Sequence, residues 1–177
     1  MISGNMRVLA RTSDASGSAV TFNSSNMVGC TIFCIQWVYF AGGTITGEQN
    51  IGFTINGDST NAYYHNVHHD MDYNLAASSS ILKWNVDENP NVPYLYVGGK
   101  PIASDGASGE TWVKANLRDS SYTMWTQRNV CWTNNNDIAA RSQVGWFTQS
   151  GQVTSITYTP SSGTVHGFNA ILWGGVD

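Results

Sequence analysis

The sequence predicts an all-β protein, a jelly-roll-like β-sandwich of about eight to ten short antiparallel strands. Three observations predict it. Apolar and polar residues alternate in run after run, and nowhere do apolar residues recur at i, i+3, i+4 and i+7 through three turns. Clusters of Gly, Asn, Asp, Ser and Pro separate these runs at short intervals. The 177 residues make one domain by length, and a chain of this size buries about 70% of its unfolded surface, enough for a core without staples.

The runs follow in order. Residues 7–11 are a short candidate strand and 19–22 follow a Ser/Gly turn. Residues 30–40 are long, β-branched and aromatic, and read as a central buried strand. Residues 51–55 alternate and run into Asn56-Gly57-Asp58. Residues 81–86 set Ile81, Lys83 and Asn85 against Leu82, Trp84 and Val86; residues 93–97 follow two prolines. In 110–117, Trp112 lies on one face and Val113, Ala115 and Leu117 on the other. In 122–131, Met124, Thr126 and Arg128 oppose Thr123, Trp125 and Gln127. Residues 144–147, 153–158 and 166–173 complete the set, and an eight-stranded jelly roll with one or two extra strands fits it. Residues 1–18, with a turn-rich stretch at 13–18, form a possible N-terminal arm, and 19–177 a single sandwich.

Charged residues are 11% of the chain, against about 25% in an ordinary soluble domain. So few charges protect poorly against association, and much of the surface is expected to be used in contacts. Eight Lys and Arg against twelve Asp and Glu leave no electrostatic footprint for nucleic acid. The longest apolar run, 32–41, is broken by Gln36 and too short to span a bilayer, and the first residues lack a secretion-signal pattern. Neither a nucleic-acid nor a membrane partner is expected. Read as one strand, Cys30 and Cys34 share a face about 13 Å apart, too far for a disulfide. With Cys131 they are expected to be buried thiols of a protein made in a reducing cytoplasm.

Asn56-Gly57-Asp58 suits a tight hairpin corner, because Asn and Gly both accept φ > 0 and Asp58 can bond the amides beyond the turn. A calcium site would need more oxygen ligands than this one carboxylate. His65, His68, His69 and Asp70 follow. In a strand His65 and His69 share a face, and with Asp70 they are weak candidates for zinc or nickel; the alternative is a polar loop or a subunit contact that protonation would tune. No cofactor is expected. No G-x-S-x-G elbow or phosphate-binding glycine loop is present, and the cysteines sit in apolar runs, so no enzyme is expected. The seven tryptophans are core residues, interface anchors or sugar-stacking platforms. Trp132, beside Asn134 in an Asn-rich loop, is the first choice for an exposed contact; Tyr63, Tyr64 and His68 are further interface or glycan-contact candidates.

Two blocks of the chain form a pair. The first is a strand followed by Asn56-Gly57-Asp58 and a nearby tyrosine, Tyr63 or Tyr64. The second runs from Gln152 through a Ser-, Ile- and Thr-rich strand and a Ser-Gly turn to Gly167-Phe-Asn-Ala-Ile-Leu172-Trp173-Gly174. Together they resemble a group of small all-β bacteriophage virion structural domains. The likeness covers 50–66 and 143–175 and little between. It departs from the group's pattern in its paired tyrosines and histidine cluster. The resemblance implies a non-enzymatic virion component of capsid-decoration, head-fibre or tail type, and no catalytic residues. The expectation is a capsid decoration protein, located in the virion, that assembles as a homotrimer and binds the major capsid or another virion protein. The rivals are a tail or fibre-head protein that binds host glycans, and a carbohydrate-binding module.

Overall fold

The computed structural model describes residues 5–23, 25–40, 50–57, 63–74, 79–85, 94–96, 106–115, 123–132, 137–147, 151–160 and 165–176. They form twelve strands and one 3-10 turn, Ser25–Met27. The strands are β1 (Arg7–Gly17), β2 (Val20–Asn23), β3 (Ile32–Phe40), β4 (Asn50–Ile55), β5 (Tyr63–Asn74) and β6 (Ser79–Asn85). The remaining six are β7 (Tyr94–Tyr96), β8 (Gly106–Lys114), β9 (Thr123–Trp132), β10 (Asp137–Phe147), β11 (Ser155–Pro160) and β12 (Val165–Gly175).

Two sheets hold them, in the orders β1-β12-β3-β8-β9-β10-β5-β6 and β2-β11-β4-β7. The first four strands of the large sheet, with the whole small sheet, have the connectivity of an eight-stranded jelly roll. Two hairpins, β9–β10 and β5–β6, extend the large sheet beyond β8. The expected sandwich is therefore present, with four added strands where one or two were anticipated. The strand that pattern reading left between strand and loop is β5, where His, Asp, Asn and Tyr leave no apolar alternation.

The core lies between the sheets. Phe33, Ile35 and Trp37 of β3 are buried on one face, beside Val113 of β8, Trp125 of β9, Phe147 of β10 and Leu172 of β12. The small sheet answers with Phe22, Ile55, Ile156 and Tyr158. A run of aromatic rings crosses the interface. Trp37 stacks on Phe168 at 6.3 Å, Phe168 meets Tyr158 at 5.4 Å, and Tyr158 meets Phe22 edge-on at 6.4 Å.

Of the residues read as a possible arm, Arg7–Gly17 form the edge strand β1, paired to β12. Its ladder shifts register three times. Thr12 patches one gap: its hydroxyl donates to the Phe168 carbonyl at 3.3 Å and accepts from the Ala170 amide at 3.1 Å. Such bulges twist an edge and blunt its capacity to pair with another chain.

The corner at Asn56 is not a hairpin. β4 pairs with β11 and β7, whereas the next strand, β5, belongs to the other sheet. Asn56 and Gly57 do have positive φ, 55° and 69°, as the turn chemistry requires. The partner of Asn56 is the approach to β11, some hundred residues further on. Its side-chain Oδ1 accepts from the Thr154 amide (2.7 Å), the Thr154 hydroxyl (3.1 Å) and the Ser155 amide (3.2 Å). Its Nδ2 donates to the Gln152 carbonyl (2.9 Å), and its main-chain amide donates to the Ser155 carbonyl (2.9 Å). Asp58 lies outside the described residues.

The cysteine geometry also differs from expectation. β3 begins only at Ile32, so strand alternation does not extend back to Cys30. Cys30 belongs to the core between the sheets, while Cys34 alternates with Phe33 and Ile35 and is buried on the outer face; both are free thiols.

Candidate binding trough

The outer face of the large sheet is concave. A trough of about 1150 Å³ runs across β1, β12, β3, β8, β9 and β10. Six strands at ~4.8 Å spacing make it about 24 Å long. Its floor is set by register. Arg11 pairs with Ile171, Ile171 with Gln36, Gln36 with Glu110, Glu110 with Arg128, and Arg128 with Ser142. One row of outward residues therefore crosses six strands. The neighbouring row contributes Asn169, Val38, Ser108, Val130 and Ala140. Because side chains alternate, these residues oppose the buried Trp37, Thr111, Gln127 and Asn129 on the same strands.

The row on the other side of Gln36 and Glu110 is aromatic. Trp173 pairs with Cys34, and Cys34 with Trp112. Both indoles are half-buried, and Cys34 between them is fully covered. Burial, and secondarily the charge of Glu110, pushes the Cys34 thiol up to about 12, so it is no nucleophile at neutral pH. The Trp173 indole N–H donates to Gln36 Oε1 at 3.2 Å. That bond fixes the amide and leaves Gln36 Nε2 without a partner among the described residues. Glu110 and Arg128 are register partners across β8–β9, and among the described residues neither they nor Arg11 form an ion pair.

β5 carries a register shift between its pairings with Val144 and Gly145, so His65 pairs with Gly145 and Val67 with Val144. The shift lies between His65 and His69 and interrupts the simple alternation read there. His69 pairs with Ser142, and His65, His68 and Asp70 pair with Gly145, Gln143 and Arg141. Among the described residues no group of three or more His, Cys, Asp and Glu side chains is placed to hold an ion. Tyr63 pairs with Phe147 and Tyr64 with Trp146. Trp132 is the last residue of β9, two beyond Val130, and pairs with Ile138. Asn134 lies outside the described residues.

Pattern reading missed Gln36, Glu110 and Arg128. The alternation that faces them outward is legible in 30–40, 110–117 and 122–131. Which outer face is concave is not, because curvature is a property of the whole sheet.

Fold and site together define a jelly-roll sandwich with an open trough on its larger sheet. No protein-family model, curated protein or solved structure matches the chain. No helix among the described residues is long and apolar enough to cross a membrane.

Proposed function

We propose that the chain is a non-enzymatic bacteriophage virion protein, a capsid decoration protein that assembles as a homotrimer on the particle surface. The observation that carries this reading is the junction at Asn56. The two sequence blocks that resemble phage structural domains lie about a hundred residues apart, yet Asn56 of the first is hydrogen-bonded to Gln152, Thr154 and Ser155 of the second. Two matches that build one structural unit are harder to attribute to chance than two separate ones.

Surface chemistry supports assembly. Met124 and Val144 are 59% and 38% exposed on the outer face of adjacent strands β9 and β10. Burying apolar surface contributes about 25 cal/mol per Å², offset in part by association entropy. Repetition around a trimer and over a particle restores affinity through avidity. Few charges make such contacts less sensitive to salt than an ion-paired surface.

The test is mass by light scattering, followed by co-sedimentation with particles lacking the protein. A trimer that adds back in many copies per particle supports the reading, and Met124→Lys should weaken the trimer. A monomer that ignores particles overturns it.

A further inference from the structure

We infer that the outer-face trough is a binding site for an extended, acidic oligosaccharide. The inference stands on the trough alone and does not depend on the virion reading.

Shape comes first. Small-molecule pockets are usually enclosed and span about 300–1,000 Å³. This one is larger, at about 1150 Å³, and crosses six strands as an open channel. It suits a chain laid along the sheet rather than a compact ligand.

The lining chemistry narrows the ligand class. Gln36, Glu110 and Arg128 stand side by side on β3, β8 and β9, presenting planar polar groups at the strand spacing. Gln36 is held by Trp173, with Nε2 left to donate. Trp112 and Trp173 stand partly exposed in the adjoining register row, one step along the strands from Glu110 and Ile171. Alternating hydroxyls and apolar ring faces on a sugar match such a mixture of planar polar groups and indole edges.

Charge decides between neutral and acidic chains. The chain carries a net charge of -4, yet the described trough residues include two arginines and one carboxylate. Among the described residues neither Arg11 nor Arg128 has an ion-pair partner. A carboxylate-bearing sugar at the Arg11 end would supply the missing partner, through a charge-assisted and potentially bidentate bond. Glycoside hydrolysis ordinarily needs two carboxylates across the sugar, and Glu110 is the single one among the described lining residues, so the site holds rather than cuts. A nucleic-acid strand would need a longer basic track than two arginines beside a glutamate.

The experiment uses the whole chain on immobilised oligosaccharides, uronic- and sialic-acid chains beside neutral ones, with indole fluorescence as a second readout. Val130→Glu fills the trough floor and adds a repelling charge, Arg128→Ala and Arg11→Ala remove the cations, and Val28→Ser, in an exposed turn away from the trough, serves as the folded control. The expected result is retention of an acidic chain, with Kd raised at least tenfold by Arg128→Ala or Arg11→Ala and binding lost in Val130→Glu. Titration of the ligand should shift indole emission in the wild type. The inference fails if no acidic chain is retained, if neutral chains bind as well as acidic ones, or if binding survives Val130→Glu, which would move the contact to another surface. Val130→Glu that breaks an oligomer while the wild type retains no sugar would assign the trough to a second copy of the chain, and also overturns it.

Discussion

The Asn56 side chain holds the start of β11 through Thr154, whose amide donates to Asn56 Oδ1 at 2.7 Å. Three hydrogen bonds converge on that one oxygen, and Nδ2 makes a fourth to Gln152. The positive φ of 55° adds a second requirement, which Asn tolerates and Ala does not. Each exposed hydrogen bond contributes about 0.5–1.5 kcal/mol net. Asn56→Ala should therefore destabilise by about 2–4 kcal/mol when the strain is included. Asn56→Asp keeps the acceptor but sets a carboxylate against the Gln152 carbonyl, and should lose less. Urea unfolding of the two variants checks the order; equal stabilities would mean the side chain is not the clamp.

Gly109 makes room for Trp37. The two are register partners across β3–β8, and a Cβ on Gly109 would stand 2.7 Å from the indole Cζ2 and 2.5 Å from the Arg128 carbonyl oxygen. Backbone cannot yield as a side chain can, so Gly109→Ala should cost about 2–3 kcal/mol, at the upper end of overpacking. In the double variant with Trp37→Phe the two losses should sum to less than their separate values, because the smaller ring vacates part of the space. Strict additivity in chemical denaturation would break the link.

Gln127 is 1% exposed, and neither its amide nitrogen nor its oxygen has a partner. A buried amide without hydrogen bonds carries a desolvation penalty of about 1–3 kcal/mol. Gln127→Met, similar in shape, should raise stability by about 1 kcal/mol, a Tm gain of about 2–4 °C at this chain length. A lower Tm would show that the amide is satisfied in solution.

Cys34 and Tyr158 make the protein weaker in alkali. Burial raises the Cys34 thiol from 9.0 to about 12, and burial likewise raises the Tyr158 phenol above its ordinary 10.0. Between pH 9 and 12 the folded state keeps a thiol proton that the unfolded chain has released. Stability from Cys34 is therefore complete below pH 9 and falls as pH rises, by at most about 1.4 kcal/mol per unit. Tyr158 adds the same sign above pH 10. Urea midpoints at pH 8, 9.5 and 10.5 should fall more steeply for the wild type than for Cys34→Ala. Parallel slopes would exclude the thiol as a source.

The sequence by itself determined the class of fold, the faces of its strands and the corner at Asn56. Period-two alternation fixes which residues oppose each other, so Trp112 could be set against Val113 and Arg128 against Gln127 before any coordinates. Asn-Gly fixes a backbone with positive φ because few other pairs accept it. Tertiary structure decided what those local facts serve. It made the Asn56 corner a clamp on β11 rather than a hairpin, since the partner of a turn residue is selected by sheet order and not by its neighbours. A register shift in β5 falls between His65 and His69 and breaks the simple alternation read there, because one extra residue offsets the pairing beyond it. The trough is the plainest case. Arg11, Gln36, Glu110 and Arg128 lie on four strands far apart in the chain, and only strand order and sheet curvature bring them into one row.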